Sequence, residues 1–585
     1  MIAGRARAVA AVFTLALLAL AEAAYAEPVT LKLGLLAVKP QGAGYEGVVI
    51  DTVVSLAPGQ GRLLLEPRDL VDDSTRYSTL LGFILATAMA GKDYRLYDMT
   101  VQFETDTPVG GPSASGFLAA TVLLLALGYA PHYEEATMTG MVSPSGLVLS
   151  VAGVEAKAAA AARHGYRLIL VPAQEAAELK TPGGARVVPV CSVIDAASQL
   201  DNVTLFPSLG RALSVPVPPV FGRDAERFAN YTEQLLPLLD NATRARVARL
   251  VEEARALTAK RPYVAASLAF TALLQAANET IARHGFSVLE QKLGITLQEA
   301  LEEARRAVAG VSYEAGGGLC YAWSFASLAA ASYRLYLAEH VSDQAAPYFR
   351  ALSLLRALSA RTWAEAASTL RGPLVPCSYL YKAAAMTLHY THIAADYFIS
   401  ILDKPFVRVF THLIDNRTIR EWLSDAENAL NNGDYLLAVG LTVYVLSEIE
   451  FRMDAPNTAT QCLTEYAERL TDLAGPAFAV PALYYHNYAL YFTANESRKG
   501  ETGEALTVVK LETAALAWMV PGLFLHAASA PAPTGAAEAA TQAPIGAAST
   551  PYLLVAAEAL LLAVVGAAAA RAAAGREKIE YTRLP

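Results

Sequence analysis

Between Phe117 and Leu127 the chain carries a single polar side chain, Thr121. The run is long enough for about three helical turns, and it is apolar on every side. Such a helix has to be enclosed, because no face of it can be left in water. The surrounding sequence must therefore supply its covers, and Val29 to about Leu209 does so in short alternating elements. The stretches VTLKLGLLAV, YEGVVIDTVVSLA, RLLLEP, RLYDMTVQFE, RLILVP and ARVVPVCSV read as strands, rich in β-branched residues and bounded by Gly and Pro. STLLGFILATAMAG, SASGFLAATVLLLALG and EAKAAAAARHG read as helices that end in glycine. ATMTGMVSPSGLVLSVAG reads as a β-hairpin turning at Pro144-Ser145-Gly146. The expectation is an α+β domain over residues 27–213.

A proline-rich linker, residues 214–223, follows, and from 224 to 526 almost all spacing is helical. One hairpin, ENALNNGDYLLAVGLTVYVL, resembles a tetratricopeptide turn at Gly433-Asp434-Tyr435. Its echoes elsewhere keep no fixed period, so the expectation is an all-α domain of helical hairpins, only loosely repeat-like. Residues 527–550 form an Ala/Pro/Thr stalk too polar and proline-broken to pack.

Both ends carry membrane signals. Residues 1–26 have Arg5 and Arg7, an apolar stretch and Ala24-Tyr25-Ala26, the pattern of a secretory signal peptide. Residues 551–570 read as a transmembrane helix, and 571–585 hold Arg571, Arg576, Lys578 and Arg583, which fits a cytoplasmic tail. The expected location is the cell surface, as a single-pass protein with its N-terminal bulk outside. N-x-S/T triplets at Asn202, Asn230, Asn241, Asn278, Asn416 and Asn495 permit glycosylation there. Cys191, Cys320, Cys377 and Cys462 allow up to two disulfides, and sequence does not choose among the pairings. A net charge of −9 without a long basic run gives nucleic acid no foothold.

Ser113 follows Gly111-Pro112 at the mouth of the enclosed helix. Free N–H groups at a helix start favour negative charge, which an oxyanion hole requires. A serine hydroxyl still needs a base. Lys157 opens an alanine-rich helix, where burial and the positive helix end both favour its neutral form. Spacing alone does not join the two positions: Ser113 also suits a plain N-cap and Lys157 a solvated surface. His389, His392 and Asp396 fall on one helix face and could ligate zinc, although a polar helix face is the simpler account.

Gly111-Pro112-Ser113-Ala114, the stretch MTGMVSPSGLVLSVAGVEAK ending at Lys157, the following HGYRLILVP and the earlier VSLAPGQGRLLL occur in an order that resembles the protease domain of the Lon family. The resemblance covers about Leu31 to Leu209. It implies a serine endopeptidase with Ser113 as nucleophile, Lys157 as general base and Thr139 supporting the lysine. It further implies polypeptide substrates, no cofactor or metal, and a ring-like homo-oligomer. Departures from the pattern are Gly110 for an aspartate, Ser115 for the second motif glycine, Met141 for a glutamate, Ala152 for a paired glycine and Glu155 for a lysine. No G-x-x-x-x-G-K-[ST] loop occurs in the 585 residues; Gly91-Lys92 is followed by Asp93. An ATP-independent enzyme is therefore expected, most similar to the secreted or membrane-anchored Lon-like proteases of archaea. The rival expectation is an inert cell-surface scaffold whose helical domain docks a partner.

Overall fold

The computed structural model describes residues 29–529, apart from breaks at 42–43, 132, 177–178, 180–183, 207–213, 343–346, 403, 405–415 and 495–501. The stretches expected to be a signal peptide, a stalk beyond residue 529, a transmembrane helix and a tail all lie outside the described residues.

The N-terminal region is mixed α/β and the remainder mostly helical. Its first sheet is built from β1 (Val29–Gln41), β2 (Gly44–Pro58), β3 (Leu63–Glu66) and β4 (Tyr97–Phe103), in the order β1-β2-β4-β3. β1, β2 and β4 run antiparallel, and β3 joins β4 in parallel. Between β3 and β4 lies α1 (Asp73–Met89), and after β4 comes α2 (Ser115–Ala126). Every residue of α2 is buried, as its all-round apolar sequence requires. β5 (Ala136–Met138) leads into the hairpin of β6 (Met141–Val142) and β7 (Val148–Leu149), paired Met141 to Leu149 and Val142 to Val148. Then follow α3 (Val154–Arg163), β8 (Leu168–Pro172), α4 (Ala173–Ala176), β9 (Arg186–Val190) and α5 (Val193–Leu200). β5, β8 and β9 form a second, parallel sheet in that order.

The first long helix of the helical region, Pro219–Leu235, starts inside the stretch expected to be a linker. Proline is at home in a first helical turn, where its missing N–H costs nothing, so this proline cluster ends as a helix start. The tetratricopeptide-like turn forms as expected: Gly433 has φ 78°, and Asp434 caps the next helix by accepting from the Leu437 N–H at 3.0 Å. One feature escaped the helical pattern, a small sheet of β10 (Glu314–Gly316), β11 (Leu319–Tyr321) and β12 (Leu374–Pro376). Disulfides join Cys320 to Cys377 beside it and Cys191 to Cys462 across the two regions. Within the helix Thr502–Ser529, the stretch Ala505–Ser529 is long and apolar enough to cross a membrane, but 83% of its most apolar window is buried in protein, as in a core helix.

One large apolar core runs through both regions, and a smaller one lies around α3. The β6–β7 hairpin is the tightest link. Tyr390 donates its hydroxyl to the Pro144 carbonyl, and Tyr466 donates to the Ser145 carbonyl at 2.6 Å. Gly146, at φ 103°, has no room for a Cβ, which would meet the Tyr466 hydroxyl and Met89 at 2.6 Å. Beside the hairpin tip the helix Tyr435–Asp454 presents Glu450 and Asp454, both fully buried; Glu450 faces Ser145, and neither carboxyl pairs with a cation among the described residues. Their surroundings are Ser145, Tyr390, Tyr397 and Tyr466. Burial, and for Glu450 also the neighbouring Asp454, pushes both carboxyls well above their ordinary range, so they are held as neutral acids.

That arrangement carries a pH dependence. Unfolded carboxyls ionise near pH 4, while the folded pair keeps its protons. The pair therefore weakens the fold increasingly as pH rises from about 4 toward its raised titration range. The double variant Glu450→Gln with Asp454→Asn should lose this slope. Melting temperatures from pH 4 to 8 should show wild type falling relative to the variant; parallel curves would mean the pair is ionised or solvated.

Candidate active site

Ser113, Thr139 and Lys157 sit on separate elements grouped around β1. Ser113 lies in a one-turn 3-10 helix, Pro112–Ala114, that leads into α2. Before it, Gly111 adopts φ 99° and ψ 153°, a conformation open essentially to glycine alone. The serine does not act as an N-cap, since neither the 3-10 turn nor α2 has a side-chain cap hydrogen bond. Pro112 has no N–H, so the Ser113 and Ala114 amides are the donors that the turn leaves without intrahelical acceptors.

The turn is laced to the strand that follows. The Gly140 N–H donates to the Ser113 carbonyl at 2.9 Å, and the Gly116 N–H to the Gly140 carbonyl at 3.0 Å. A Cβ on Gly116 would fall 2.8 Å from that same carbonyl, so glycine is required there. Ser115 earns its departure from the family pattern: its hydroxyl donates to the Pro112 carbonyl at 2.7 Å and accepts from the Val142 N–H at 2.9 Å. Thr139 is wholly buried, and its N–H donates to the Leu170 carbonyl at 3.0 Å, tying it to β8. Its hydroxyl donates to the Ser113 carbonyl at 3.4 Å. The resemblance implies that Thr139 supports the lysine; in the structure its recorded side-chain partner is the serine backbone.

Lys157 is in the first turns of α3, just after Gly153, whose φ of 68° turns the chain into the helix. It is 2% exposed. On the same face Val154, Ala158 and Ala161 pack with Leu36 of β1 and with Ile169 and Val171 of β8. β2 presses close beneath, since a Cβ on Gly47 would overlap the Ala156 carbonyl. Among the described residues no carboxylate pairs with this lysine, and burial pushes its pKa down to about 7. The positive end of α3 acts in the same direction. The Ser113 and Lys157 side chains are not hydrogen-bonded to one another; the serine turn and α3 both lie against β1.

Two residues near the turn gave no functional signal in the sequence. Asp72 caps α1 and also reaches Gly111, and Lys404 pairs with Asp72 at 2.8 Å. The Asp-Asp-Ser before an apolar helix marks a cap, but not what else that carboxylate would touch. The His389–His392–Asp396 face forms no metal centre. His389 stacks on Tyr94 at 6.1 Å, Asp396 lies 3.6 Å from Arg420, and no group of three metal-binding side chains converges among the described residues.

Residues 49–188 match the family model of the Lon protease (S16) C-terminal proteolytic domain. Similar proteins include Lon protease 2 of Sorangium cellulosum, 32% identical over 141 residues, which cover 23% of this chain and 17% of that one. The archaeal Lon protease of Thermoplasma volcanium is 33% identical over 135 residues, covering 22% of this chain and 20% of its own length. Lon protease 1 of Myxococcus xanthus is 28% identical over 189 residues, 30% of this chain and 21% of that relative. The chain thus spans about a fifth of the length of the curated relatives it matches. Residues 49–188, the stretch that holds Ser113, Thr139 and Lys157, are thus similar to the proteolytic domain of the Lon protease (S16) family.

Proposed function

We propose that this protein is an ATP-independent serine endopeptidase that works on unfolded or flexible polypeptides at the cell surface. The observation that carries the reading is Lys157: a lysine enclosed in apolar surroundings, unpaired with any carboxylate among the described residues, and poised near pH 7. Such an amine is a competent general base. Ser113 Oγ attacks the peptide carbonyl and passes its proton to Lys157 Nζ. The Ser113 and Ala114 N–H groups hold the oxyanion. The lysine then returns the proton to the leaving amine as the C–N bond breaks, and water hydrolyses the acyl-serine. Thr139 fixes the carbonyl of Ser113 and so the orientation of the turn.

Export is supported by two disulfides, which persist in oxidising compartments. Asn202, Asn230, Asn241 and Asn416 are exposed, as glycan acceptors must be. The buried helix Thr502–Ser529 is unsuited to anchoring, which leaves residues 551–570 as the transmembrane helix of this reading.

The test is fluorophosphonate labelling and cleavage of unfolded casein by the full chain, beside Ser113→Ala. Labelling and cleavage should both vanish in the variant while its melting temperature stays within a few degrees. Equal signals in the two proteins would remove Ser113 from the role. Silence in both would favour the inert scaffold.

A further inference from the structure

The carboxylate of Asp72 works in two directions. Toward α1, Oδ1 accepts from the Thr75 N–H at 2.8 Å and caps the helix. Toward the serine turn, the same oxygen accepts from the Gly111 N–H at 3.4 Å. A Cβ on Gly110 would lie 2.9 Å from Oδ2, so this carboxylate fills the space that a side chain at position 110 would need. The backbone follows suit: the Asp72 N–H donates to the Val109 carbonyl at 3.1 Å, and the Thr75 hydroxyl to the Gly111 carbonyl at 3.1 Å. Residues 109–111 are thus moulded onto the start of α1. The helical region then closes over this contact. Lys404, just past the helix Cys377–Leu402, donates to Asp72 Oδ2 at 2.8 Å. Burial pushes the Asp72 carboxyl up, but Lys404 and the Thr75 and Ser74 donors outweigh it, holding the group below its ordinary value.

An ionised carboxylate beside the turn whose amides receive an oxyanion would oppose the charge developing there. The Lys404 ammonium cancels that opposition. We infer that Asp72 and Lys404 are a positioning pair for the Ser113 turn. Asp72 sets the Gly110–Gly111 kink that presents the serine, and Lys404, supplied by the helical region, neutralises the carboxylate. The inference rests on Ser113 being the nucleophile. On this view the helical region is a component of the active centre, and neither member of the pair touches substrate.

A double-mutant cycle on the full chain tests it, read as casein cleavage with kcat and KM separated and with melting temperature alongside. Asparagine keeps the N-cap, so Asp72→Asn removes charge and little else. Lys404→Met should lower kcat about tenfold, less than the ~10²-fold that a misplacement of about 1 Å costs, with KM little changed. Lys404→Arg should restore most of the rate. The pair Lys404→Met with Asp72→Asn should turn over faster than Lys404→Met alone, because the unpaired charge is gone. A Lys404→Met protein as fast as wild type, beside an inactive Ser113→Ala, would overturn the inference and leave the nucleophile standing. So would a Lys404→Met deficit that Asp72→Asn leaves unrelieved and that tracks a lowered melting temperature. An active Ser113→Ala would overturn the nucleophile and the pair together.

Discussion

Lys157→Met should abolish cleavage and leave a protein more stable than wild type near neutral pH. The activity half follows from the proposed base: removing a general base costs about 10²–10⁴-fold. The stability half follows from linkage. Folded Lys157 titrates at about 7, whereas an unfolded lysine titrates at about 10.4. Between those values the unfolded chain holds one more proton than the folded one, so stability rises with pH through that window. Below about pH 7 the full cost of burying the amine is present, on the order of a few kcal/mol. Methionine has similar length and no charge to desolvate, so it relieves that cost. Wild-type kcat/KM should rise through about pH 7 and level off above it. The decisive measurement pairs casein cleavage with denaturant midpoints at pH 6.5 and 9.5. An inactive variant whose stability gain shrinks at the higher pH identifies a buried base. A variant destabilised at both would make Lys157 a structural cation.

Breaking Cys191–Cys462 should cost more stability than breaking Cys320–Cys377. The first bridge closes a loop with a sequence separation of 271 and the second one of 57. Loop-closure entropy then assigns about 5–6 kcal/mol to the first and about 4 kcal/mol to the second. Their placement sharpens the contrast. The Cys191 carbonyl accepts from the Val148 N–H at 2.9 Å, so the long bridge fastens the strand next to the inserted hairpin. Paired Cys→Ser variants compared by guanidinium unfolding check this. Equal losses, or a greater loss at Cys320–Cys377, would show that chain entropy is not what the long bridge supplies.

Much of the N-terminal region is legible in its residues because each element states its own period. The Pro144-Ser145-Gly146 turn fixes the hairpin, and the all-apolar α2 announces its burial. Ser113 and Lys157 have local settings that also suit a cap and a surface lysine, and it is the ordered resemblance around them that pairs them. The rest depends on contacts distant in sequence. Residues 447–454, Ser-Glu-Ile-Glu-Phe-Arg-Met-Asp, carry charged side chains of kinds that are seldom buried, yet Glu448, Glu450, Arg452 and Asp454 are all buried. The helix carrying them is packed on several sides, and no local pattern records that. β10 to β12 are too short to show alternation. Asp72 and Lys404 are 332 residues apart, and an N-cap looks the same whether or not a lysine closes on it.

The hairpin seated among Tyr390, Tyr466 and Glu450 has a meaning for the order in which the protein is made. The mixed α/β region leaves the ribosome before the helical one, but its hairpin tip has no seat until residue 466 has emerged, and Cys191 has no partner until residue 462. At about 5–20 residues per second that wait is on the order of tens of seconds. Throughout it, the nascent N-terminal half keeps the Pro144-Ser145-Gly146 tip unseated and Asp72 without Lys404. A ribosome that stalls or a chain cut short before residue 466 therefore releases an N-terminal half whose hairpin tip is unseated and whose Cys191 is unpaired.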